Sequence, residues 1–334
     1  MISAWRHAWH RVWAAPALVA GVFALTFVLA APFAMVMRGA LEADLGASVV
    51  AGDVADGVNY DWWQEFTGRA AGLATTFTPS IIGFATVLDN VSGLLDGRVP
   101  VAPLAAAVVV YLAGWTFLAG GIIDRYARQR PTRAHGFFAA CGVYFFRFLR
   151  LAAVAGVVYW WLFTYVRTWL LTDRLDVLTR DLSVEREAFL WRAAFYVVFA
   201  SLLAAATLVF DYTKVRLVVE DRRSVLSALA AALRFIRRNA GAAVGLYLLN
   251  VLVFLALLAA WALLAPGAGG GGLSMWVAFA AGQLYILARL VLKLHFLASE
   301  TALFQSCLAH AAYTAAPAAL WPESPAAEAI QPRR

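Results

Sequence analysis

Six apolar stretches, each long enough to cross a bilayer as a helix, constrain this chain more than anything else in it. They run Ala14–Met37, Val101–Ile123, Leu151–Leu171, Ala193–Phe210, Ala240–Leu264 and Met275–Ala298. A hydrocarbon core about 30 Å thick takes roughly 20 helical residues to cross. Irregular backbone there would leave N–H and C=O groups unpaired, so the expected fold is all-α, a polytopic membrane bundle of six helices. Composition agrees, with 63% hydrophobic and 14% charged residues, against about 25% charge in soluble domains. Nearly every residue belongs to a span, a short loop or a surface helix. One membrane domain over 1–310 is expected, followed by a proline-bearing tail over 311–334 that reads as disordered and cytoplasmic.

The basic residues orient the spans, because short loops rich in Lys and Arg stay in the cytoplasm. Nineteen of the 27 are assigned to the inner side: around Arg6 and Arg11, between Arg125 and Arg150, between Lys214 and Arg238, and from Arg289, in the inner half of the last span, onward. Both termini are therefore expected on the cytoplasmic side of a bacterial inner membrane. The first apolar run exceeds the 7–15 residues of a signal-peptide core, so it reads as a retained anchor. Net charge +7 then reports topology and affinity for anionic lipid headgroups, and no nucleic-acid partner is expected.

Before the first, third and fifth spans lie amphipathic stretches. Trp5, Trp9, Val12 and Trp13 share one helical face, as do Phe137, Cys141, Tyr144, Phe145 and Phe148, and then Val225, Leu229, Ala232, Leu233 and Ile236. Their spacing is that of one stripe of an α-helix. Such cytoplasmic helices either lie at the lipid interface or pack on the inner end of the bundle. On the first reading Arg147, Arg150, Arg234, Arg237 and Arg238 contact lipid headgroups. The recurrence suggests a threefold internal repeat with units of about 1–123, 134–213 and 214–298.

The outer connections differ in size. The first carries eight acidic residues against three arginines, with Tyr60, Trp62, Trp63 and Phe66 predicting an interfacial helix. Within it, residues 79–95 are apolar but shorter than a span and read as re-entrant or interfacial. The second, from Thr172 to Arg192, reads as a short charged helix, and the third is a glycine-rich turn.

Intramembrane polar groups are the first functional candidates in a chain of this class. In the sixth span Tyr285, Arg289, Lys293 and Glu300 lie on one side of a helical wheel. Asp211, at the end of the fourth span, is the expected counter-ion of Arg289, with Glu300 and Glu220 behind it. Two readings stay open: a structural ion pair with Lys293 snorkelling, or a site for a substrate or lipid phosphate. Asn250 and Gln283 read as inter-helix hydrogen-bonding groups.

Enzyme signatures are absent: no GxSxG elbow, HExxH helix, Walker loop or CxxC pair occurs. His7 and His10 lack a further ligand nearby, so neither metal nor cofactor is expected, and no catalytic residue is assigned. Cys141 and Cys307 fall on the reducing side and read as packing residues.

The segment DYTKVRLVVEDRRSVLSALAAALRFIRRN, Asp211 to Asn239, has an Asp closing a span, an acidic-basic turn and a small-residue helix ending in Arg-Phe-Ile-Arg-Arg. This order resembles the inner loop of uncharacterised bacterial six-helix membrane proteins. It is also similar to the membrane domain preceding some glycerophosphodiester phosphodiesterases. The catalytic domain of those enzymes has no counterpart here, so the resemblance implies an inner-membrane protein that handles or senses lipid. The expected function is a lipid- or partner-interacting scaffold or assembly module. A secondary transporter with its pathway along the sixth span is the alternative, and a membrane-embedded lipid enzyme the second.

Overall fold

The computed structural model describes residues 1–56, 59–77, 92–93, 95–97, 102–129, 131–266 and 272–310. Most of the segment 79–95 and the tail 311–334 lie outside the described residues. Among those described there is no strand, and six helices are long and apolar enough to cross a membrane.

A short helix α1 (Ile2–Trp13) is followed by α2 (Pro16–Leu45), the first span, which starts with its proline in the first turn, where a missing N–H costs nothing. Two short helices follow, α3 (Ala51–Asp56) and α4 (Tyr60–Arg69). The Asn59 side chain caps α4 by accepting from the Trp62 amide at 3.0 Å. The aromatic helix expected at the outer interface packs on the end of α2. Trp62 and Phe66 are buried there, and the Trp62 indole donates to Asp44 at 2.7 Å.

The second span is α5 (Ala102–Arg128). The third begins with α6 (Ala134–Trp161) and continues through two π-turns, Leu162–Val166 and Trp169–Arg174, into α7 (Leu175–Thr179). This rod of 46 residues is about 70 Å long at 1.5 Å per residue, more than twice the hydrocarbon thickness. The amphipathic stretch before the third span is thus the first part of that span's own helix.

The fourth span is α8 (Glu185–Val219). Ser224 then caps the amphipathic α9 (Val225–Arg238), and Asn239 separates α9 from the fifth span, α10 (Ala240–Leu264). The sixth span, α11 (Leu273–His310), has 38 residues.

Most of the buried core sits at the arginine-dense end, with smaller clusters around Trp62 and Phe66 and around Leu162, Leu170 and Phe199 at the other. At the arginine-dense end Val12, Ile122, Ile123, Leu217, Ala228, Leu246, Leu294 and Phe304 are inaccessible. The amphipathic faces are used in this packing. In α1 the buried residues are Ala4, Ala8 and Val12, with Trp13 exposed. In α9 the alanines 228, 231 and 232 are buried with Val225, Phe235 and Ile236, while Leu233 is exposed. The small residues let these helices approach α11 and α8 closely.

Polar bonds fix α1 to this layer. The Arg11 guanidinium donates to the Tyr126 carbonyl at 3.1 Å and to Gln305 Oε1 at 3.0 Å, joining α1, α5 and α11. Trp5 and Trp9 enclose the His295 ring, whose Nε2 lies 3.1 Å from the Trp5 carbonyl. The opposite halves of the spans are sparsely packed: Met35, Leu263, Leu264 and Trp276 are 71, 81, 77 and 63% exposed.

Candidate functional site

Span α11 carries two cations one turn apart, Arg289 and Lys293, and neighbouring helices set their depth. The Arg289 guanidinium lies 6.0 Å from the ring centroid of Phe254, close to the midpoint of α10. The Lys293 ammonium lies 3.6 Å from the Trp115 centroid and 3.3 Å from the Tyr111 hydroxyl, both near the middle of α5. Two helices therefore place these cations well inside the apolar layer. A charge at that depth costs at least roughly 2.5–3.5 kcal/mol on insertion scales.

Both residues are exposed, and among the described residues no carboxylate forms an ion pair with either. What surrounds them is aromatic. Tyr285 lies 5.5 Å from the Arg289 guanidinium and is itself stacked on Trp261, with centroids 4.4 Å apart. Cation–π contacts offset part of the desolvation and leave the net positive charge in place.

Asp211, expected opposite Arg289, pairs instead with Lys214, one turn along α8, at 2.6 Å. Lys214 was not singled out from the sequence, although a carboxylate and an amine three apart on a helix are neighbours. Glu220, also expected near Arg289, is engaged by Arg216 and Arg222 at the end of α8.

Glu300 is 1% exposed, and among the described residues neither carboxylate oxygen has a hydrogen-bond partner. It lies within electrostatic reach of Asp211 and Lys214. The preceding Ser299 accepts from Asn250 Nδ2 at 2.9 Å, so Asn250 does join α10 to α11. The wheel face of the sixth span thus divides: Tyr285 and Arg289 meet α10, Lys293 meets α5, and Glu300 is enclosed at the arginine-dense end.

The five headgroup-contact candidates also divide. Arg147 is used internally, donating to Asp221 at 2.5 Å and to the Arg222 carbonyl at 3.2 Å. Arg150, Arg234, Arg237 and Arg238 are exposed. Among the described residues no group of three or more His, Cys, Asp or Glu side chains is placed to hold a metal ion.

Six candidate spans and a polar layer at one end give the chain the build of a multi-pass α-helical membrane protein. No protein-family model matches it, and no curated protein or solved structure is significantly similar to it.

Proposed function

We propose that this is a bacterial inner-membrane protein, with both termini in the cytoplasm, that acts through lipids or partner proteins as a scaffold, assembly or lipid-handling module. The observation that carries this reading is the unequal packing of the bundle. One end is a close-packed layer of helices bearing exposed arginines. The other halves of the spans present large apolar side chains, among them Leu263, Leu264 and Trp276, to whatever surrounds them. In a bilayer such apolar faces meet acyl chains or the spans of a partner. The resemblance of the Asp211–Asn239 segment points to lipid as well.

Photo-reactive residues at Met35, Leu263 and Trp276 in living cells test the reading. A discrete protein adduct at one of them, with lipid adducts at the others, is the expected pattern. Adducts joining only spans of the same chain would remove the surface on which the proposal stands. Orientation is tested with a single cysteine at Arg133, which is exposed, in a chain with Cys141 and Cys307 replaced by alanine. A membrane-impermeant maleimide is expected to react only after lysis, and reaction in intact cells would reverse the map.

The transporter reading is favoured by one observation, the pair of uncompensated cations in mid-span. Loss of uptake in Arg289→Ala at unchanged protein level would establish it.

A further inference from the structure

We propose that Arg289 and Lys293 form a binding site for the anionic phosphate of a membrane lipid, entered sideways from the bilayer between α5 and α10. The inference rests on the lipid-interacting part of the reading above and assigns it a site.

Four features of the structure lead there. The two cations are one turn apart on one side of α11, where i and i+4 side chains are neighbours, and both are exposed. The nearby Asp211 carboxylate is bonded to Lys214 at 2.6 Å, so local charge remains positive. The planar guanidinium offers paired donors that match two phosphate oxygens, and the ammonium supplies a compact second charge. Finally, the flanking surface of α5 is apolar: Val108, one turn from Tyr111 on the side that meets Lys293, is 44% exposed. At this mid-span level the neighbourhood suits acyl chains and offers nothing to a free hydrated phosphate. The aromatic rings of Trp115, Tyr111, Phe254 and Tyr285 hold the cations in place, so the site is formed before the lipid arrives.

Native mass spectrometry of the full chain with defined lipids tests the assignment. Wild-type protein is expected to retain phosphatidylglycerol over phosphatidylcholine by about tenfold or more, which corresponds to about 1.4 kcal/mol. R289Q/K293Q should bring the two lipids to near parity, while the charge-retaining R289K/K293R keeps the preference. A preference that survives in R289Q/K293Q but is lost in R234Q/R237Q/R238Q would overturn the site and leave the lipid-interacting reading standing. Absence of any preference in the wild-type protein would overturn both. Displacement of the bound lipid by millimolar inorganic phosphate alone would overturn the lipid as the ligand.

Discussion

Gly121→Leu is expected to abolish the folded bundle, with Gly120→Leu close behind. At Gly121 a Cβ would fall 2.5 Å from Cys141 Sγ and 2.8 Å from the Phe137 ring, and at Gly120 it would fall 2.7 Å from Tyr144 Cβ. These glycines form the crossing of α5 and α6, where the backbones approach because α5 has no side chains there. Small residues drive helix association in membranes by permitting such contact. Overpacking a dense core costs about 1–3 kcal/mol. Leucine at this crossing exceeds that range, because its first carbon already collides and separating the helices would expose Cys141, Tyr144 and Phe148, all buried. Gly136→Leu and Gly142→Leu are the controls, since a Cβ at either meets nothing within 4 Å. Fluorescence-detected size exclusion after graded heating separates the cases. A Gly121→Leu protein as monodisperse and heat-resistant as Gly142→Leu would show that α5 and α6 do not cross there.

Much of the fold was legible because hydrocarbon imposes a length and a polarity that few residues evade. Each of the six apolar stretches lies mostly or wholly within a helix of the structure. What the apolar pattern did not reveal is where those helices stop. Hydropathy marks the bilayer edge, whereas a helix ends where its backbone meets a breaking residue or a cap. Pro16 separates α1 from α2, and Asn239, with φ −121° and ψ 34°, separates α9 from α10. Between Phe148 and Leu151 nothing of the kind occurs, so α6 runs without interruption from its amphipathic part into the span. The segment FRFLRLAA could have been read that way.

The amphipathic faces of α1 and α9 left lipid interface and bundle packing open, and the structure divides them: Val12, Val225, Ala232 and Ile236 are buried with Ala4, Ala8 and Ala228, while Trp13 and Leu233 are exposed. Where helices approach closely the contact surface is alanine, and large side chains move to the rim. The same limit applies to the polar groups. A helical wheel places Arg289, Lys293 and Glu300 together on α11 but says nothing of which neighbour each meets. Trp115, Tyr111 and Phe254 come from helices distant in sequence, and no pattern in the chain pairs them with those cations.

Glu300→Lys should destabilise the protein severely, whereas Glu300→Gln should leave its melting temperature unchanged or raise it. Glu300 is buried at the close-packed end, and both of its oxygens lack a hydrogen-bond partner among the described residues. The adjoining Tyr212 hydroxyl is inaccessible and equally without a partner. Glutamine keeps the shape, loses no hydrogen bond and removes a carboxylate from a place where a lone charge is expensive. Lysine instead brings a second ammonium toward Lys214, whose carboxylate partner is already taken. An uncompensated buried charge of this kind costs about 3–5 kcal/mol, a large share of the roughly 5–15 kcal/mol that separates folded from unfolded states in ordinary domains. The opposite pattern would carry its own meaning. If Glu300→Gln melted as early as Glu300→Lys, and Lys214→Met removed the difference between wild type and Glu300→Gln, the carboxylate would be holding Lys214 jointly with Asp211. The arginine-dense end would then be organised around a three-membered ion network, and its stability would have to be ascribed to charge pairing as much as to the close approach of its alanines.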